Sequence, residues 1–138
     1  MLNPNVVIKN IVTHNQAEAI LSLVARVLMA YIFILAGWGK ITAYTATVSY
    51  MEAKGVSAAL LPLTILVEFG GGLALLFGFQ ARFAALGLAV FSLITALIFH
   101  DSAEDATSFM KNMAMAGGLL FLMLHGAGKF SLDHLIEK

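Results

Sequence analysis

A chain of 138 residues that is 60% hydrophobic and 12% charged, with a mean hydropathy of +0.90, cannot cover itself with water-soluble surface; soluble domains carry about a quarter charged residues. Its formal net charge is zero and it has no cysteine, which excludes a basic nucleic-acid surface and any disulfide exchange or thiolate metal ligation by its own side chains. The solvent that suits this composition is a lipid bilayer.

Residues 1–19 are polar and mixed, with Pro4, Lys9, His14 and Glu18, and are expected to form an N-terminal arm or a short surface helix. The first long apolar run covers residues 20–39. At 1.5 Å per residue it spans roughly 30 Å, the thickness of one hydrocarbon core, and it is too long for a signal-peptide core. The following stretch, "KITAYTATVSYMEAKGVS", reads as a short amphipathic helix at the membrane surface. Thr42 is its expected cap, Gly55 its stop, and Tyr44 and Tyr50 lie at headgroup level. Further runs cover 58–79, with Pro62 in its first turns, then 83–99 and 109–125. "GFQAR" is a tight turn between the second and third runs, and "HDSAEDATS" is a short acidic link between the third and fourth.

Backbone groups in lipid must be paired internally, which leaves helices or closed barrels, and these runs are too long and too uniform for barrel strands. The expected fold is therefore all-α, a single four-span domain over residues 20–138 arranged as an up-down-up-down membrane helix bundle. Small residues recur at four-residue spacing, as in Gly70, Ala74 and Gly78, and Gly37, Gly71 and Gly72 add to them; such rows let helices approach closely in lipid. Four spans put both termini on one side. Lys9, Arg82, Lys129 and Lys138 fall there, against Lys40, Lys54 and Lys111 on the other, so the positive-inside rule places the termini in the cytoplasm.

Two polar clusters follow from this arrangement. Arg26, Ala30, Phe33, Gly37 and Lys40 share one face of the first span at 100° per residue. Glu68 shares a face of the second with Thr64, Gly71, Gly72, Leu75 and Phe79. Intramembrane charges turn inward and find partners, so Arg26 and Glu68 are expected to pair. Such a pair either fixes helix register or builds a polar pocket that binds or protonates a ligand. The second cluster lies at the opposite surface: Lys40, His100, Lys111 and Asn112, with Tyr44 and Glu52 in reach. It suits an anion, a headgroup or a quinone carbonyl. Lys111, Met115, Gly118, Leu122 and His125 share a face of the fourth span. His14, His100, His125 and His134 lack metal-ligand spacing, so no metal site is expected, and no catalytic, phosphate-loop or dinucleotide motif occurs.

The segments "LVARVLMAYIFILAGWGKI", "YMEAKGV", "LPLTILVEFGGGLALLFGFQARFAAL", "FH" and "MKNMAMAGGLLFL", in this order, resemble the DoxX family of small four-span membrane proteins. The likeness covers residues 20–135 and rests on Arg26, Gly37, Lys40, Glu68, Gly78, Arg82, Lys111 and Asn112. The "FSLDHL" tail resembles the tail that follows the fourth span in these proteins. The resemblance implies a bacterial inner-membrane protein associated with a quinone-linked oxidoreductase or an oxidative-stress system. It implies quinone as the ligand and a soluble or membrane partner subunit that carries the redox centre, since no flavin, haem or iron–sulfur motif is present. More distant relatives resemble membrane chaperones, so a non-catalytic chaperone, scaffold or lipid-binding bundle is the alternative; a second copy of the chain is a further expected partner.

Overall fold

The structure, a computed structural model, describes residues 3–99 and 105–137. Four helices are long and apolar enough to cross a membrane: Asn15–Thr42, Ala58–Phe77, Ala81–Phe99 and Ala106–His125. They are called spans one to four here. A short helix, Pro4–Val12, precedes span one; the surface helix is Tyr44–Ala53; and a last helix, Leu132–Ile136, follows span four. The chain is thus an all-helical bundle with a surface helix between its first two spans. Of the two forms expected for the N-terminal stretch, an arm or a short helix, it takes the helix, and span one starts five residues before the apolar run, taking in polar Asn15, Gln16 and Glu18.

The burial pattern is that of a protein dissolved in lipid. The interior holds small side chains, Ala30, Ala81, Ala85, Ala89, Ala96 and Ala116, around Phe33, Leu75, Leu88 and Leu119. Large apolar side chains such as Leu28, Leu66, Phe83, Leu97 and Phe121 point outward. Between helices already in hydrocarbon, close packing and hydrogen bonds hold the bundle rather than removal of apolar surface from water. On span one the buried residues are Ala19, Arg26, Ala30, Phe33 and Gly37, four of them from the face that periodicity picks out. On span four they are Asn112, Ala116 and Leu119. The core-facing stripe there is one position on from the expected Lys111–Met115–Gly118 face, because the small Ala116 faces its neighbours and the charged Lys111 stays exposed.

Glycines set the contact between spans one and two. A Cβ on Gly37 would lie 2.7 Å from Phe69 Cβ and 2.8 Å from its backbone nitrogen, and one on Gly72 would lie 2.8 Å from Ile34 Cγ1. A Cβ on Gly71 would press on Leu88 of span three at 3.1 Å. Gly70 makes no such approach, its nearest neighbour being Leu66 at 3.7 Å on its own helix, so the close contact runs through Gly71 and Gly72 instead of the Gly70 row. Span two is not uniform. It opens with the turn Ala58–Leu60, where Ser57 Oγ accepts from Ala59 N at 3.3 Å, and it widens to a π-helical turn at Leu66–Gly70. It ends on Gly78 at φ 67°, with Phe79 N donating to Ala74 O at 2.9 Å and Gly78 N to Leu75 O at 3.2 Å, the paired bonds of a Schellman stop.

The face that carries the described ends of the chain is closed by polar side chains that satisfy helix ends on other spans. Arg26 Nη1 donates to Leu75 O at 2.8 Å and Leu76 O at 3.0 Å, and its Nη2 donates to Phe130 O. Arg82 Nη1 donates to Met123 O at 3.2 Å and Leu124 O at 3.0 Å. Spans two and four both end here, so each arginine puts a cation on the carbonyl end of a helix, where the macrodipole is negative. Asp133 does the reverse: its carboxylate accepts from Gln80 N at 2.6 Å and Ala81 N at 2.8 Å, capping the start of span three, while its own N–H donates to Gly78 O at 2.8 Å.

Candidate functional site at the surface-helix end

Toward the other end the bundle encloses a cavity of about 560 Å³, bounded by all four spans and the surface helix. Its walls are mainly apolar, with Phe33, Leu63, Val67, Phe91, Ile98 and Met115 among them. Its polar groups are few: Lys40, Glu68, Lys111, Asn112, Ser92, Thr95, Thr64, Thr47 and Tyr50. An apolar space of a few hundred Å³ with a handful of polar groups is the usual form of a small-molecule site. The surface helix forms part of the wall through Thr47, Tyr50 and Met51. Tyr50 stacks on Phe99 at the end of span three, with ring centroids 5.5 Å apart. Tyr44 and Glu52, expected to reach this cluster, do not line it.

Glu68 is paired here, and its partner corrects the sequence expectation. Lys40 Nζ lies 2.5 Å from Glu68 Oε1, whereas Arg26 bonds only to carbonyl oxygens. Register is the reason. Gly37 sits against Phe69 and Gly72 against Ile34, which brings Glu68 level with the last turns of span one and Arg26 level with Gly78. Arg26 and Lys40 are about 20 Å apart along that helix, so no side chain bridges the error. The hydropathy reading aligned the start of run one with the end of run two, but span one is longer and stands proud of its neighbour.

Of the expected ligand-binding residues, Lys40, Lys111 and Asn112 line one cavity, and Glu68 joins them; His100 lies outside the described residues. Asn112 is buried and its amide is already engaged. Nδ2 donates to Thr95 Oγ1 at 3.2 Å and Ser92 O at 3.4 Å, while Thr95 Oγ1 donates to Ser92 O at 3.2 Å. Ser92 and Thr95 escaped the sequence reading, and Tyr50, expected only at headgroup level, lines the cavity as well. The signal for the first two was a pair of hydroxyls three residues apart, hence on one helix face, inside the apolar run "FSLIT". The π-helical turn centred on Glu68 was equally invisible; such turns are frequent at functional sites. Among the described residues no group of three His, Asp or Glu is placed to hold a metal ion.

A second cleft of about 430 Å³ opens at the terminal face, lined by Glu18, Arg82, His125, Lys129 and Asp133 among others. It mixes both signs of charge, and Arg82 and Asp133 are already committed to helix ends.

A four-span bundle with an inward lysine–glutamate pair and a polar-tipped apolar cavity defines a small polytopic membrane protein with a candidate ligand pocket. The chain belongs to the DoxX family, whose model matches residues 21–101. It is 56% identical over 119 residues to inner membrane protein YqjF of Escherichia coli (strain K12), covering 84% of this chain and 92% of that one. It is 32% identical over 127 residues to inner membrane protein YphA of the same organism, covering 85% and 91%. Both relatives are named for the inner membrane, which with the four spans makes this a multi-pass inner-membrane protein. No solved structure matches the chain.

Proposed function

We propose that this protein is the membrane-embedded, ligand-binding subunit of a quinone-linked oxidoreductase or oxidative-stress system, with a quinone as its ligand and the redox centre on a partner subunit. The observation that carries this reading is the cavity at the surface-helix end: apolar walls for a ring and the start of an isoprenoid tail, and two lysines, Lys40 and Lys111, among its few polar groups. Lys40 is already neutralised by Glu68. Lys111 is exposed and its ammonium makes no hydrogen bond or ion pair among the described residues, so it is the donor available to a ligand carbonyl. A carbonyl bonded to a charged donor in such a site gains more than a neutral pair does.

The test is binding of ubiquinone-1 to the protein in lipid nanodiscs, together with mass spectrometry of what copurifies from membranes in mild detergent. Saturable binding that Lys111→Met weakens about tenfold, with thermal unfolding unchanged, supports the reading; tenfold is the loss of about one charged hydrogen bond. Copurified phospholipid without saturable quinone binding overturns it in favour of a lipid-binding scaffold.

A further inference from the structure

We propose that the cavity selects the reduced, hydroxyl-bearing form of its ligand, a quinol over the corresponding quinone. This deepens the quinone reading above and rests on it.

Asn112 offers the ligand an acceptor. Both amide hydrogens are directed at Ser92 O and Thr95 Oγ1. The backbone carbonyl of Ser92 can only accept, which fixes the nitrogen on that side and leaves Oδ1 as the group Asn112 has to give. The Thr95 hydroxyl spends its own proton on the same carbonyl. Glu68 is an acceptor with spare capacity. It is 6% exposed, Lys40 is its partner, and Oε1 takes no aligned hydrogen bond; an ionised carboxylate has about four lone-pair sites. Ser92 Oγ, 1% exposed, has no partner among the described residues. On the donor side stand Lys111, the remaining protons of Lys40 and the hydroxyls of Ser92 and Tyr50, the last two able to accept as well.

A quinone head carries only carbonyl acceptors. It can satisfy Lys111, but it brings no proton to the remaining lone pairs of Glu68 or to Asn112 Oδ1. A quinol carries two hydroxyls, each of which donates one hydrogen bond and still accepts through its oxygen. It therefore meets both the lysine and the surplus acceptors. Sites built to accept from a substrate hydroxyl discriminate strongly against analogues that lack it, because the buried acceptor is then left unpaired.

The experiment compares ubiquinol-1, kept reduced anaerobically, with ubiquinone-1. A redox-inert pair, 4-heptylphenol and its methyl ether, isolates the hydroxyl. The expected result is tighter binding of the hydroxyl-bearing member of each pair by tenfold or more in the wild-type protein. In Glu68→Gln, whose amide brings a donor to the same place, the preference narrows to a few-fold. Equal or tighter binding of quinone and methyl ether overturns this inference and leaves the quinone reading standing. Binding of neither quinol nor quinone overturns the quinone reading itself.

Discussion

The partner of Glu68 is decided by thermodynamic coupling. Removing Lys40 with Lys40→Met leaves the Glu68 carboxylate, whose side chain is 7% exposed, without its cation; one-sided loss of a buried pair costs about 3 kcal/mol or more. Removing the acid with Glu68→Gln costs less, about 1 kcal/mol, because the Lys40 side chain is 29% exposed and can turn its ammonium to the headgroups. The double variant leaves neither charge stranded, so the Lys40/Glu68 cycle should show a coupling of about 1–2 kcal/mol. Arg26→Met removes three charged hydrogen bonds to carbonyls. Leu75 O retains its bond from Gly78 N, so the net cost is about 3–4 kcal/mol and not the full sum. Its site and that of Glu68 share no partner, so the Arg26/Glu68 cycle should be additive within about 0.5 kcal/mol. The assay is equilibrium unfolding of the detergent-solubilised protein across both cycles. Coupling above about 1 kcal/mol between Arg26 and Glu68, or none between Lys40 and Glu68, would refute the register derived from Gly37 and Gly72.

Replacing Asp133 with Asn keeps one acceptor oxygen and loses the charge at the start of span three; it should cost about 1–2 kcal/mol, read by the same unfolding measurement. Gly37→Ala drives a methyl into the Phe69 backbone and should destabilise by about 1–3 kcal/mol. Gly39→Ala meets nothing within 4 Å and should stabilise by about 0.5 kcal/mol through helix propensity; equal effects of the two alanines would dispose of the close-contact argument. For orientation, single cysteines at Asn10 and Ser49 should be labelled by a membrane-impermeant maleimide from opposite faces, with Ser49 reached from outside in intact cells; the reverse pattern would invert the proposed cytoplasmic placement of the termini.

What hydropathy and periodicity could reveal was the list of spans and the inward face of span one, because both are properties of a single helix. Which cation meets Glu68 was beyond them, and the expected Arg26 partner was wrong, since register is a property of two helices and is set by where Gly37 and Gly72 permit contact. For the same reason the sequence puts Lys40 in the cluster at the opposite surface, apart from Glu68. The donors and acceptors of Asn112 became readable only when span four was laid against Ser92 and Thr95. The role of Asp133 was hidden by distance along the chain. One clue was present: "GFQAR" holds no Ser, Thr, Asp or Asn to cap the helix that begins at Ala81, so the acceptor had to come from elsewhere.

That remote cap has a consequence for biogenesis. When span three enters the membrane, the carboxylate that will satisfy its first N–H groups has not been synthesised; it follows two helices later, after span four has been threaded. Until then the start of span three relies on headgroups and water, and the Arg26 link to Phe130 O is likewise missing. The bundle is therefore assembled provisionally and locked once Phe130 and Asp133 arrive. Pulse-chase proteolysis during synthesis would show that locking as a late, single gain of resistance.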